Sequence, residues 1–192
     1  MIEQLKNPLT KEYLEFKKYI YSNKLSWYYH PVSTGVSEAL SPEPSYESED
    51  DIPFYSHKIM ERPSKENGMP YSRITSDIFP MAYKVLEQIF EDNDLDVSLI
   101  YRINLNATFA VPTGIKKSVY HVDLNNIPHK NLIIYMSKLN GGGETYVKDG
   151  TKEMKFAPEE NNIIMFDGEL QHCSAPPHGK ERRIIMVSNI WL

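Results

Sequence analysis

His121 and Asp123, in the stretch YHVDLNN (Tyr120 to Asn126), stand two residues apart. On an extended strand side chains alternate faces, so this spacing points an imidazole and a carboxylate the same way, where they can share one ion. Alone the pair carries little, because a His-x-Asp triplet arises often by chance and a solvated aspartate at a strand end accounts for it. A third donor changes the weighing. His172, in FDGELQH (Phe166 to His172), follows an apolar run and an Asp-Gly turn, which places it at the start of another strand across a barrel. Two imidazoles and a carboxylate on one face of an octahedron leave three adjacent positions open. That suits ferrous iron that must hold a bidentate cosubstrate and still admit dioxygen; a closed tetrahedral site has no such room.

A dicarboxylate that chelates such an ion through one end leaves its far carboxylate among apolar side chains, where an unpaired charge is costly and a guanidinium is the natural partner. Arg182 and Arg183 open the terminal RRIIMVSNIWL segment, and on a strand only one of them faces inward. Asn189 shares strand parity with Arg183 and is a further cosubstrate candidate. Asn106 and Arg102 lie on one polar strand face, from which Asn106 could reach cosubstrate and Arg102 substrate; an edge strand with a solvated face explains them equally well.

The elements that must position these groups are legible in part. Tyr13, Phe16, Ile20 and Tyr21 repeat at helical spacing behind a possible Thr10 cap, and Ala82, Val85, Leu86, Ile89 and Phe90 trace a second amphipathic stripe. Asp77 is placed to cap that second helix, with Pro80 tolerated in its first turn. From about Ser33 to Arg73 no period persists among Pro, Ser, Glu and Gly, which predicts a long loop, either disordered or a working lid. Its acidic Glu47–Asp51 run is a solvated cluster or an attraction for a basic substrate.

From Ser98 the texture changes to SLIYRINLNATF, NLIIYMS and NIIMF, with strand-like flanks around Asp149-Gly150, whose two residues can both take positive φ in a tight hairpin. Several short strands separated by turn signals predict a mainly β fold, a double-stranded β-helix or jelly roll over residues 98–192. Residues 1–97 supply flanking helices and the loop, within a single domain.

The 192-residue length allows one substantial core, and a net charge of −5 without a broad cationic face disfavours nucleic acid. Cys173 is the sole cysteine, which excludes an intrachain disulfide and fits a reducing compartment. With no apolar run of membrane length and no signal-peptide core in MIEQLKNPLTKEY, a cytoplasmic protein is expected. His30, His57, His129 and His178 sit in turn- or proline-rich surroundings and are expected at the surface. Cys173 should face away from His172 as an inert buried thiol, and Gly141 to Gly143 as a turn.

His-x-Asp, a distant His, then Arg on the last strand resembles the iron(II)- and 2-oxoglutarate-dependent dioxygenases, over residues 99–192. More narrowly, the block from Gly141 to Trp191 with its FDGELQH segment, together with SWYYHP (Ser26 to Pro31), is similar to small prolyl-4-hydroxylase-like oxygenases of tailed phages and some bacteria. The resemblance implies Fe(II), 2-oxoglutarate and O2 as cofactors, ascorbate as reductant, and hydroxylation of a protein side chain such as proline with release of succinate and CO2. It implies His121, Asp123 and His172 as metal ligands and, by spacing from His172, Arg183 rather than Arg182 at the cosubstrate carboxylate. Tyr135, in the strand after the His-x-Asp motif, is implied as a second donor there; its plain alternative is a core tyrosine with a satisfied hydroxyl. HVDLNN departs from most close relatives after the aspartate, which leaves the substrate open. A free small molecule, a nucleobase, or a metal-holding jelly roll that binds without turnover are the other readings, and a base-repair role would want a basic groove that the composition does not show.

Overall fold

In a computed structural model that describes residues 1–31, 52–64, 68, 70–111 and 116–192, the elements run in this order: β1 (Ile2–Leu5), α1 (Lys11–Ile20), β2 (Tyr28–His30), β3 (Phe54–Glu61), β4 (Arg73–Ile74), α2 (Phe79–Asp92), β5 (Leu99–Thr108), β6 (Lys130–Tyr135), β7 (Thr145–Asp149), β8 (Lys152–Phe156), β9 (Ile163–Asp167), β10 (Gln171–Ser174) and β11 (Arg183–Trp191). Thr10 begins α1 as its chemistry favours, its hydroxyl accepting from the Tyr13 N–H at 3.1 Å. Tyr13, Phe16 and Ile20 are buried, while Tyr21 falls at the C-cap and is exposed. α2 buries Ala82, Val85, Leu86 and Ile89 and carries Pro80 in its first turn. Asp77 does not cap it. The N-cap is Ile78, which no side chain caps; the Ser76 hydroxyl accepts from the Ile78 N–H just ahead of the helix.

The larger sheet has the order β1-β9-β6-β11-β5-β3-β2, with β4 paired to β3, and the smaller one β10-β7-β8; each strand pair is antiparallel. This is a double-stranded β-helix with its helices on the outside. β5 lies between β11 and β3, so its polar face is not that of a solvated edge. β3 falls inside the span read as loop, and β1 joins the sheet from a segment that carries no strand signal. The reason β3 hides is physical: the register slips between Lys58 and Met60, so Ser56 and Ile59 are both buried although their spacing breaks the alternation that betrays a strand. Residues 32–51, with the acidic run and most of the expected lid, lie outside the described residues. In the β7–β8 hairpin Asp149 pairs with Lys152, so the turn is Gly150-Thr151, and of Asp149 and Gly150 only the glycine takes a positive φ, 60°.

Strand alternation sorts β11 onto two cores. Ile184, Met186 and Ile190 pack with α1 and α2, whereas Ile185 and Val187 meet Ile133, Tyr135, Val147, Ile164 and Phe166 between the sheets. Phe16 is fully buried in the first of these cores. Phe16→Ala is therefore expected to lower unfolding stability by about 3–5 kcal/mol, read as a lower urea midpoint at unchanged slope. Among the described residues no helix is long and apolar enough to cross a membrane.

Candidate metal centre

His121 and Asp123 do not share a regular strand. His121 makes a single antiparallel bridge with His172, its N–H donating to the His172 carbonyl at 3.0 Å and the reverse bond closing at 2.9 Å, and the chain then bends at Asp123. The common pocket comes from this cross-link rather than from alternation. β10, paired to β7, directs His172 toward His121 and leaves Cys173 buried in register with Tyr146, where burial raises its thiol pKa. The His121 and His172 rings lie 4.5 Å apart between centroids. The Nε2 of His121 is 4.0 Å from Asp123 Oδ1, and that of His172 is 3.9 Å from Oδ2. All three donor atoms lie within 4.8 Å of one another.

The protonation pattern follows from what each nitrogen faces. His121 Nδ1 meets the Val119 carbonyl at 3.1 Å and His172 Nδ1 meets the Leu170 carbonyl at 3.3 Å. A carbonyl only accepts, so both Nδ1 atoms carry a proton and both Nε2 atoms face the pocket. Burial would raise the Asp123 carboxyl, but the Arg102 guanidinium, both imidazoles and the Asn189 amide outweigh it and hold the group well below the usual carboxylate range. With both imidazoles neutral, three acceptors converge beyond hydrogen-bonding distance of one another. Such a donor set fits a divalent cation, and its mixed nitrogen and oxygen character fits ferrous iron.

Burial, and then the neighbouring His121, pull His172 down to about 4. Because this lies below the ordinary value near 6.5, the folded state resists a proton that the unfolded chain accepts. The contribution is complete above about 6.5 and is lost as pH falls toward 4. The metal-free protein is expected to lose up to about 3 kcal/mol over this window. Urea titrations at stepped pH should show that slope, and His172→Gln should flatten it.

Partners around Asp123 orient the ligand. Arg102 NH1 donates to Oδ1 at 3.3 Å, Asn189 Nδ2 donates to Oδ2 at 3.0 Å and to Asn131 Oδ1, and Arg62 donates to the Asp123 carbonyl. Arg102 and Asn189 are thereby drawn to the metal-ligand end of the site, and Asn189 is remote along β11 from Arg183. Asn106 accepts from Asn104 and bonds neither Asp123 nor Arg183.

Arg183 is buried at 3% exposure, as the first residue of β11. Its Nε donates to the Gly143 carbonyl at 2.7 Å and its NH2 to Thr145 Oγ1 at 2.9 Å. The Tyr135 hydroxyl donates to the same Thr145 oxygen at 2.7 Å. Burial lowers the Arg183 pKa, and no carboxylate among the described residues forms an ion pair with it. Arg182 turns outward over the Tyr21 ring. Gly143 has φ 77°, and a Cβ there would stand 2.5 Å from Leu139 Cδ1, so only glycine brings this carbonyl to Arg183 without displacing a neighbour.

Of the remaining histidines His178 is exposed, and His30 and His57 are half-buried with ring nitrogens bonded to Ser56 and to Ser26 and Ser76. His129 is buried, contrary to expectation: its ring covers Gly168, where a Cβ would meet it at 2.2 Å, and the Gly168 N–H donates to its carbonyl. This contact ties the loop after Asp123 to the turn before His172. Thr145, Gly143, Asn131 and Arg62 also gather at the site without any spacing signal that marks them.

No family model and no curated protein matches the sequence. The fold is similar to that of a 2OG-Fe(II) oxygenase family oxidoreductase from Burkholderia pseudomallei, with TM-score 0.65 and 14% identity over 93% of this chain and 76% of that one. A Trichoplax adhaerens prolyl hydroxylase, in complex with a hypoxia inducible factor oxygen degradation domain peptide, aligns with TM-score 0.59 and 11% identity over 99% and 83% of the two chains. The non-haem alpha ketoglutarate dependent epimerase SnoN from nogalamycin biosynthesis aligns with TM-score 0.58 and 8% identity over 98% and 77%. At these identities the likeness is one of fold.

Proposed function

We propose that this protein is an Fe(II)- and 2-oxoglutarate-dependent dioxygenase that hydroxylates a protein side chain such as a prolyl residue. Arg183 is the observation that carries the reading. A metal held only for structure needs His121, Asp123 and His172, but it gives no reason to bury on the same interior face a guanidinium that pairs with no carboxylate among the described residues. A dicarboxylate cosubstrate supplies that partner.

His121, Asp123 and His172 would hold the iron, and Arg183, with Tyr135 and Thr145 behind it, would bind the far carboxylate of 2-oxoglutarate. Bound ferrous iron supplies the activation of dioxygen, coupled to conversion of 2-oxoglutarate to succinate and CO2. The chain's own work is positioning. Arg102 and Asn189 fix the Asp123 carboxylate, the Val119 and Leu170 carbonyls fix the imidazole tautomers, and Ile133, Val147, Ile164, Phe166, Ile185 and Val187 keep water from the interior.

The fold shared with a peptide-bound prolyl hydroxylase supports a peptide substrate, and the fold shared with an epimerase keeps a small molecule as the competing class. Succinate release should be measured with ferrous iron, ascorbate and 2-oxoglutarate, alone and with proline-containing peptide mixtures or metabolite mixtures. Basal succinate that rises with peptides supports the proposal. Stimulation by metabolites alone moves the substrate to the other class, and no succinate under any condition refutes the oxygenase reading.

A further inference from the structure

We infer that Asn104 and Asn106 form an amide-reading wall of the substrate pocket, so that the substrate presents a carboxamide or a peptide group to β5. The inference rests on the oxygenase reading for the reaction and on the following geometry for recognition. On β5 the residues Ile103, Leu105 and Ala107 join the helix-side core. Arg102, Asn104, Asn106 and Thr108 take the opposite face, on which Arg102 reaches Asp123 and Thr108 stands across from Arg183. Asn104 and Asn106 therefore lie between the metal-ligand end and the cosubstrate end of one strand, in register with Val187 and Ile185. Ser56 continues the row on β3 opposite Asn106, its hydroxyl held by His30 Nε2 at 2.7 Å.

This wall is polar where it is most enclosed. Asn104 is 8% exposed and Thr108 7%, yet Asn104 Oδ1, Thr108 Oγ1 and Arg102 Nε have no hydrogen-bond partner among the described residues. Each such atom is destabilising if nothing pairs with it, and apolar side chains of similar size would pack the same space without that cost. A ligand that completes them accounts for their presence.

The pattern also selects the ligand. Asn104 Nδ2 donates to Asn106 Oδ1, which leaves an acceptor on Asn104 and a donor on Asn106 side by side. Exchanging oxygen and nitrogen in both side chains exchanges the roles and leaves one of each. An amide offers the complementary donor and acceptor together, whereas an ester only accepts and a carboxylate would oppose the free oxygen. Peptide groups and carboxamide side chains share this chemistry.

The test is binding under nitrogen to the protein loaded with ferrous iron and 2-oxoglutarate, where no turnover occurs. The probes are N-acetylprolinamide, N-acetylglutamine methyl ester and N-acetylproline methyl ester, followed by ligand-observed NMR. The two probes that carry an amide N–H are expected to bind about tenfold more tightly than the proline ester, whose only amide is tertiary and cannot donate. A preference for the prolinamide alone assigns the wall to an amide group attached directly to the ring, and a preference for the glutamine probe alone to an amide N–H carried away from a ring. Asn104→Leu should erase the amide preference, and Asn106→Ala provides a second reading if the first variant folds poorly. Equal binding of amide and ester to the parent protein overturns the inference. So does a variant that weakens 2-oxoglutarate while keeping the amide preference, which would give the wall to the cosubstrate. Because binding is read without oxygen, failure of the succinate assay and failure of this test are separate results.

Discussion

His172→Ala is expected to bring succinate production to background and to weaken ferrous iron binding by more than about 100-fold, beyond the range typical of losing a residue that merely orients a ligand. The substitution removes one of three donors whose atoms lie within 4.8 Å of one another. It is the cleanest of the three to make. Asp123 is enclosed by Arg102, Asn189 and a bond from Arg62 to its carbonyl, so Asp123→Ala would strand a part-buried guanidinium and cost roughly 3–5 kcal/mol of stability. His172 is neutral at pH 7, because burial holds its pKa near 4, and its loss leaves no unpaired charge. Equilibrium dialysis against ferrous iron under nitrogen, with circular dichroism to confirm the fold, checks the prediction. Parent-like iron affinity in a folded His172→Ala protein would remove this residue from the ligand set.

Arg183→Met is expected to raise the KM for 2-oxoglutarate by about 30-fold or more, the loss from truncating one side of a buried, hydrogen-bonded charge pair. Methionine keeps much of the volume and removes the charge. The metal ligands are untouched, so iron affinity should stay near the parent value, which separates this variant from His172→Ala. Stability in the absence of cosubstrate should fall by about 1–3 kcal/mol, the cost of leaving the buried Gly143 carbonyl without its donor. No ion pair is lost, because among the described residues no carboxylate pairs with Arg183, and Thr145 Oγ1 keeps the Tyr135 hydroxyl as its donor. Initial-rate succinate measurements across 2-oxoglutarate concentrations supply the readout. An unchanged KM would assign the buried guanidinium a purely structural role on Gly143 and Thr145.

What the sequence made legible follows from where each element packs. α1 and α2 bury one face each, and strands such as β5, β6, β9 and β11 sit inside the larger sheet, so their apolar patterns are strong. β3 was illegible for two reasons: a register slip after Lys58 destroys its alternation, and Ser56 turns a polar side chain into the interior. Asp77 carries good capping chemistry, yet the helix starts one residue later, at an Ile78 N-cap that no side chain caps. The triad residues were legible as residue types at a spacing, although the extended strand assumed for His121 and Asp123 is replaced by a bridge to His172. Thr145, Asn131 and the Gly143 carbonyl were not. Their positions depend on which strands become neighbours, and spacing along the chain does not encode that. His129 reads as a turn residue in IPHK because the glycine it covers lies 39 positions later, at Gly168.

The most direct test is anomalous diffraction at the iron absorption edge from crystals grown under nitrogen with ferrous iron. The account predicts one strong peak per chain, bounded by the Nε2 atoms of His121 and His172 and by the Asp123 carboxylate. Iron sites that avoid these three side chains, or either imidazole turned so that Nδ1 rather than Nε2 faces the pocket, would contradict it.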